Sequence, residues 1–215
     1  MTVEDIFTKI DAWVKGRNGR DWIEPDFIPH DPSFNPEVIQ TIQQVRQEIY
    51  DFVALLLARG YEGGTILEIG LGRHAGTHRI WREFFGKVIS VELSSERIEQ
   101  AKAEFHEPES VFVCGSSRHP NTHYAVSKLA DGLDVLFIDG DHSYGGVRND
   151  YDLYRNFVKP GGLIAFHDSI CSANDMYGVP QFLRELAAGQ VDGERHTIYD
   201  IIRSKSIGIS YEIVK

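Results

Sequence analysis

The stretch Phe137–Asp150 reads FIDGDHSYGGVRND. Four apolar residues, Val135 to Ile138, lead into Asp139, Gly140, Asp141 and His142. Two carboxylates and an imidazole thus leave a buried segment within four residues. Carboxylates there can hold a cation or orient a hydroxyl, and histidine titrates near neutrality and suits the removal of a proton. His167 and Asp168 close a second apolar run, GGLIAFHD. A third run ends in LEIGLGRHAGT, where Gly70 and Gly72 let the backbone approach a ligand closely. Gly76 falls four residues after Gly72, whereas the dinucleotide fingerprint wants three. Glu68 would repel a pyrophosphate but can serve a cationic ligand. Glu92 ends the next apolar run, 22 residues after Gly70, where an acid can accept both hydroxyls of a ribose. A nucleoside without pyrophosphate and with cationic character fits S-adenosylmethionine better than NAD.

Each of these residues also has a plain structural reading. Asp139 and Asp168 can cap helices without any metal. His142 can be a surface loop histidine, and Glu92 a solvated charge. His74 and His78, four apart, read as a solvated helix face rather than a metal pair, because no third ligand accompanies them.

The elements that position the chemistry follow a strand, turn, helix rhythm. Strands are expected at 65–70, 87–93, 110–115, 133–139 and 161–168, with helices at 76–85, 94–105, 121–130, 146–157 and 178–188. Continuous apolar strands alternating with helices give a parallel sheet covered on both faces. Two further strands, 195–202 and 206–214, have no helix between them and should pair antiparallel. The expected fold is α/β: a Rossmann-like, doubly wound, mostly parallel seven-stranded sheet with a C-terminal antiparallel hairpin. In such sheets ligands bind beyond the carboxyl ends of the strands, where Asp139, His142 and Asp168 fall.

Residues 1–60 form an N-terminal helical extension, and 61–215 the ligand-binding domain. A short helix is expected over 3–15. Residues 16–36 contain four of the eight prolines, interleaved with Trp22, Phe27 and Phe34; they can be a tail packed on the core or a lid over a ligand. Asn35 and Pro36 make a cap and first turn, opening a helix whose stripe runs Val38, Ile39, Ile42, Val45, Ile49, Phe52, Val53, Leu56 and which Gly60 ends.

The 215 residues carry a net charge of -10, which disfavours nucleic acid as a partner. Cys114 and Cys171 make no disulfide framework, and the amphipathic start MTVEDIFTKIDAWV is not a signal peptide. FVALLLA, from Phe52, is too short to cross a bilayer. These features lead us to expect a cytoplasmic protein with no membrane partner; a homo-oligomer is compatible with them.

LEIGLGRHAGT, ISVELS, VCGSS, LDVLFIDGDHSYGGVRNDYDLY and VKPGGLIAFHD together resemble class I S-adenosylmethionine-dependent methyltransferases. More narrowly, the chain resembles the macrocin- and mycinamicin-type sugar O-methyltransferases and cephalosporin-hydroxylase-like proteins. The resemblance covers residues 63–185. It implies an S-adenosylmethionine site with Glu68, Gly70, Gly72 and Thr77 in the cofactor loop, Glu92 on the ribose and Ser116 and Ser117 on the adenine side. It implies a divalent metal, Mg²⁺ or Mn²⁺, held by Asp139, His167 and Asp168, with Asp139 also at the cofactor edge. His167 can instead stand behind the ligands. Asp141 can bind metal or orient His142, and His142 matches the catalytic base. The family often has glycine at position 74 and serine at 76, where this chain has His74 and Gly76. The implied reaction is metal-assisted O-methylation of a hydroxylated small molecule such as a sugar. An NAD(P)-dependent oxidoreductase is opposed by the glycine spacing and Glu68. A non-catalytic nucleoside-binding module is opposed by the Asp139, His142 and Asp168 cluster.

Overall fold

A computed structural model describes residues 1–17, 22–26, 41–171 and 177–215. The apolar runs become the strands of one sheet: β1 (Thr65–Ile69), β2 (Lys87–Glu92), β3 (Ser110–Cys114), β4 (Leu133–Ile138), β5 (Val158–His167), β6 (Tyr199–Ile201) and β7 (Ile209–Ile213). Their order is β3-β2-β1-β4-β5-β7-β6. The first five pair in parallel. β7 runs antiparallel to both β5 and β6, as the helix-free connection demands. The crossovers place β1 and β4 side by side at the centre, so that loops diverge there and open a crevice.

The strands alternate faces with the period of two that a pleat imposes. Val135 and Phe137 face one side of β4 and Leu136 and Ile138 the other. On the first face lie α1 (Val3–Lys15), α2 (Arg46–Ala58) and α3 (Gly76–Arg82), whose Ile6, Phe7, Ile49, Phe52 and Trp81 join one cluster with those strand residues. On the second lie α6 (Tyr144–Tyr154) and α7 (Val179–Ala187), through Val147, Tyr151, Phe182 and Leu186. The remaining helices are α4 (Ser95–Glu104) and α5 (Pro120–Ser127). Three starts are fixed by hydroxyl caps: Thr2 in a capping box with Asp5, Ser94 and Ser143. α1, α2 and α3 together therefore cover this face of the sheet.

The helix expected from Asn35 begins only at Arg46. Ile42 and Val45 are buried as expected, but residues 41–45 are not helical. Tertiary contacts hold them open: Val45 bridges Ile23, and Thr41 and Ile42 pass so close to Gly76 that a Cβ there would sit 2.9 Å and 3.0 Å from their backbone atoms. Phe27, Phe34, the Asn35–Pro36 cap, Val38 and Ile39 lie outside the described residues. Trp22 packs on α1, stacked on Phe7 at 6.0 Å, with its Nε1 donating to Asp11 Oδ1.

His78 corrects another expectation. It is fully buried rather than solvated. Its Nδ1 lies 2.8 Å from Ser90 Oγ and its Nε2 3.1 Å from Ser110 Oγ, and its ring packs against Phe105 and Phe112. Ser90 in turn donates to Glu68 Oε2 at 2.7 Å, and Trp81 Nε1 donates to Glu68 Oε1 at 3.0 Å. Because Ser90 donates to Glu68, it accepts from His78 Nδ1–H, and Nε2 is left to accept from Ser110. Burial keeps this imidazole neutral, with its pKa pushed down to about 3. Burial also pushes the Glu68 carboxyl up to about 7, against the hydrogen bonds from Thr77, Ser90 and Trp81.

These shifts set a pH dependence. Between the ordinary carboxyl value of 4.5 and about 7 the folded chain keeps a proton on Glu68 that the unfolded chain has lost. Glu68 alone therefore takes about 3 kcal/mol from stability as pH rises through that window. His78 works in the opposite direction below 6.5, where the unfolded chain protonates first, so the two contributions offset each other between 4.5 and 6.5. Glu68→Gln should abolish the alkaline fall and leave the acid fall unopposed, so that it steepens. Urea midpoints from pH 4 to 9 measure both; an unchanged alkaline slope in the variant would assign that slope elsewhere.

Candidate active site

Five strand ends converge on one cavity of about 680 Å³. The sheet ladder continues one residue past the strands: Gly70 N–H donates to Val91 O at 2.9 Å, Asp139 N–H to Ile69 O at 2.8 Å and Gly115 N–H to Glu92 O at 2.9 Å. Gly70 has φ +96°, and a Cβ on it would overlap the Asp139 carbonyl. Only glycine fits that crossing.

One end of the cavity is lined by Gly70, Gly72, Thr77, Glu92, Ser116 and Ser117. Glu92 is 6% exposed; its Oε1 accepts from Ser94 N–H at 2.8 Å, and the Arg97 guanidinium lies 3.4 Å from Oε2. The turn after Glu92 thus fixes the carboxylate while one face stays open to the cavity. Glu68, assigned to the cofactor loop by resemblance, does not line the cavity. Its two oxygens are engaged in the buried network beneath the glycine turn, because residue alternation along β1 points it into the α1–α3 face.

The other end holds Asp139, His142, His167 and Asp168. Ile138 of β4 is level with Phe166 of β5, which brings the two chain ends side by side. His142 Nδ1 lies 2.9 Å from Asp168 Oδ2, and His167 Nδ1 lies 3.0 Å from Asp139 Oδ1 and 3.5 Å from Asp168 Oδ2. Ser143, not Asp139, caps α6, and α7 starts at Gly178 without a side-chain cap. The capping reading of both aspartates therefore fails. Burial opposes charge on His167, but the Asp139 and Asp168 carboxylates outweigh it and hold its pKa well above the ordinary value. Burial likewise opposes ionisation of Asp168, and the two imidazoles reverse this and hold its pKa well down. Burial of His142 is outweighed by its hydrogen bond to Asp168, and its pKa is raised.

Asp139, His142 and Asp168 each offer one ligand atom within 4.8 Å of the others. Two carboxylates and an imidazole at that separation are a donor set suited to a divalent cation. His142 belongs to this set, whereas the sequence placed His167 there. His167 is 4% exposed and its Nδ1 is turned to the two carboxylates, so it stands behind the candidate ligands. Asp141 pairs with Arg118 at 3.2 Å and accepts from Ser143 N–H; it does not orient His142.

Two cavity residues carried no signal in the sequence. Gln44 donates from Nε2 to Asp139 Oδ2 at 3.1 Å, from the segment whose apolar spacing read as helix. Tyr177 stacks on His142, with centroids 5.6 Å apart and planes at 27°.

The family profile described as a methyltransferase domain matches residues 43–169. The chain belongs to this family, and its fold is that of class I S-adenosylmethionine-dependent methyltransferases. The MycE methyltransferase of the mycinamycin biosynthetic pathway, solved with Mg, SAH and mycinamycin VI, aligns with a TM-score of 0.56 and 16% identity over 76% of this chain and 48% of that one. An O-methyltransferase from Bacillus cereus solved with SAH aligns at 0.58 and 16% identity, over 98% and 90% of the two chains. TomG from Streptomyces achromogenes, an O-methyltransferase involved in tomaymycin synthesis and solved with SAM, aligns at 0.59 and 16% identity, over 83% and 84%. An uncharacterized protein of Acanthamoeba polyphaga mimivirus is 55% identical over 43 residues, 20% of each chain. The chain thus spans a fifth of that curated relative and about half of MycE. Among the described residues no helix is long and apolar enough to cross a membrane.

Asp168 has φ +54°, a left-handed conformation that aspartate and asparagine tolerate better than other side chains. Asp168→Asn and Asp168→Ala remove the same charge, but only alanine meets the full backbone strain. Asp168→Ala should be less stable than Asp168→Asn by about 1–2 kcal/mol in denaturant unfolding. Equal midpoints would mean that the local backbone relaxes.

Proposed function

We propose that this protein transfers a methyl group from S-adenosylmethionine to a hydroxyl of a small-molecule acceptor, with His142 taking the proton. The observation that carries the reading is one cavity with two chemically different ends. The Gly70–Gly72 turn and Glu92 suit a nucleoside without pyrophosphate, and Asp139, His142 and Asp168 stand at the other end. Asp139, packed against the Gly70 turn, disfavours a pyrophosphate there, and a purely binding role needs no base.

In this reading Glu92 accepts the ribose hydroxyls, and Ser116 and Ser117 flank the base. Gly70 and Gly72 leave room for the ligand's backbone-facing side. The cofactor supplies an electrophilic methyl group on a sulfonium. Asp168 holds Nδ1–H of His142, which leaves Nε2 as the basic nitrogen. Tyr177 restrains the ring by stacking. The acceptor hydroxyl would then lose its proton to His142 as the carbon–oxygen bond forms and the methyl–sulfur bond breaks, the bonding pair staying on the sulfur of S-adenosylhomocysteine, and His142 would return the proton to solvent. The MycE, TomG and Bacillus cereus structures, which pair this fold with SAM or SAH, support the cofactor.

A second reading is favoured by the convergence of Asp139, His142 and Asp168, together with the Mg bound by MycE. These three residues would hold a divalent cation, Mg²⁺ or Mn²⁺. When bound, such an ion lowers the pKa of a hydroxyl beside it. His142 then serves the cation rather than the proton.

Two measurements test these roles. S-adenosylhomocysteine should raise the thermal midpoint of the wild type and NADH should not. Glu92→Ala should weaken S-adenosylhomocysteine binding by roughly 10–100-fold while leaving the ligand-free midpoint in place, since charge-assisted hydrogen bonds are worth about 1.5–3 kcal/mol. Equal stabilisation by NADH would sink the cofactor assignment. With an acceptor identified, His142→Ala should cut kcat by about 10²–10⁴-fold. The wild-type rate should rise with pH through a midpoint above the ordinary histidine value, because Asp168 raises the His142 pKa. A rate abolished by EDTA and restored by Mn²⁺, with no such limb, would instead select the cation reading.

A further inference from the structure

Gln44 is used by neither reading above. It is 1% exposed, yet it borders the cavity, and its Nε2 donates to Asp139 Oδ2 at 3.1 Å. Its Oε1 is buried and has no donor among the described residues. A buried amide oxygen left without a partner costs about 1–3 kcal/mol. Folding stability alone therefore does not select glutamine here; an unbranched apolar side chain would fill the same space without an orphaned acceptor. Polar groups that persist at a net cost concentrate where they act on a ligand.

The backbone that carries this amide is anchored. Gln44 O accepts from Ile23 N–H at 3.0 Å, and Val45 forms a parallel bridge with Ile23. On the other side a Cβ at Gly72 would come within 3.1 Å of Gln43 Oε1. The amide thus reaches Asp139 from a segment braced against the glycine turn, and not from either strand that bears the carboxylates. Asp139 is held on both oxygens, by Gln44 at Oδ2 and by His167 Nδ1, 3.0 Å from Oδ1. A neutral amide can fix the carboxylate plane without cancelling its charge, which a lysine or arginine in its place would do.

We propose that Gln44 is a positioning residue for Asp139, setting the orientation in which that carboxylate meets a divalent cation. The inference rests on the cation reading of the site. Groups that hold a metal ligand from behind typically govern affinity by 10–100-fold.

The test is Mn²⁺ binding to the whole chain, followed by electron paramagnetic resonance, beside the thermal midpoint without metal. Gln44→Met removes the donor and the orphaned acceptor together while keeping the length of the side chain. Its Mn²⁺ dissociation constant should rise about 10–100-fold over wild type, with a midpoint equal to or above that of the wild type. Should Gln44→Met not fold, Gln44→Asn, which withdraws the amide by one methylene and keeps its polarity, should show the same loss of affinity. A dissociation constant within threefold of wild type overturns the inference and leaves the cation reading standing. A loss of affinity that comes with a lowered midpoint in both variants makes Gln44 a packing residue and also overturns it. A wild type that binds no Mn²⁺ removes the cation reading itself, and the role of Gln44 with it.

Discussion

The crossing of Gly70 over Asp139 fixes the geometry of everything at the rim. β1 and β4 pair in register up to Ile69 and Ile138, and the ladder's last hydrogen bond runs from Asp139 N–H to Ile69 O. One residue on, β1 must turn away while β4 continues, and the two backbones come into contact. A Cβ at Gly70 would collide with the Asp139 carbonyl, and one at Gly140 would lie 3.2 Å from Ile69 Cγ2. The glycine turn that admits a ligand and the carboxylate that faces it are therefore two sides of one contact. β5, in register with β4 on its other side, adds His167 and Asp168 at the same level. A shift of one residue in any of these three strands would turn that strand's side chains to the opposite face.

Two ways of burying ionisable groups coexist within a few residues. Under the glycine turn, Glu68 and His78 are linked through Ser90 and kept close to neutrality by burial. At the rim, Asp139 and Asp168 face His142 and His167, and the opposite charges sustain each other against desolvation. Isolated, each of these ions would be costly to bury. The difference follows from what each group meets. Glu68 meets hydroxyl and indole donors that are satisfied inside the core, whereas the rim carboxylates line an open cavity. Asp168 also carries a positive φ there, a strain that persists at sites where geometry serves a ligand.

Most of the fold was legible because long apolar runs and glycine turns are local signals. β1 to β5, their order along the chain and the antiparallel pair at the end all follow from periodicity and loop length. Asp139, Asp168 and Glu92 lie on the cavity because each falls at a strand end, and His142 follows in the turn after β4. What escaped was decided by tertiary contact. The apolar spacing of Ile42 and Val45 fits a helix, yet Gly76 and Ile23 pull that segment straight, and Gln44 enters the site as a result. Glu68 sits beside the glycine turn in sequence, but alternation along β1 carries it beneath the turn. His78 looked solvated because its partners, Ser90 and Ser110, belong to β2 and β3 and nothing in the spacing announces them. His142 and His167 exchanged places as candidate ligands, since sequence adjacency to Asp168 says nothing about which ring nitrogen reaches into the cavity.

The family match ends at residue 169 and begins at 43, and the cavity does not respect those limits. The matched segment contains both the glycine turn with Glu92 and the carboxylates. Ile23, Thr41, Tyr177 and Ile207, which also line the cavity, lie outside it. Ile23 and Ile207 pack with Val45 as a separate apolar cluster, so one wall is built from three segments far apart in the chain. These segments are joined to the core by backbone contacts: the Ile23–Val45 bridge, Ile170 N–H donating to Ile207 O and Ser169 N–H to Gly208 O, and Glu48, which accepts from Arg203 N–H and Gly208 N–H. The side chains of that wall are set by these contacts between loops and not by the alternation along β1, β4 or β5. The carboxylates at the rim are tied to strand register, while the wall facing them is tied to loops that register does not control.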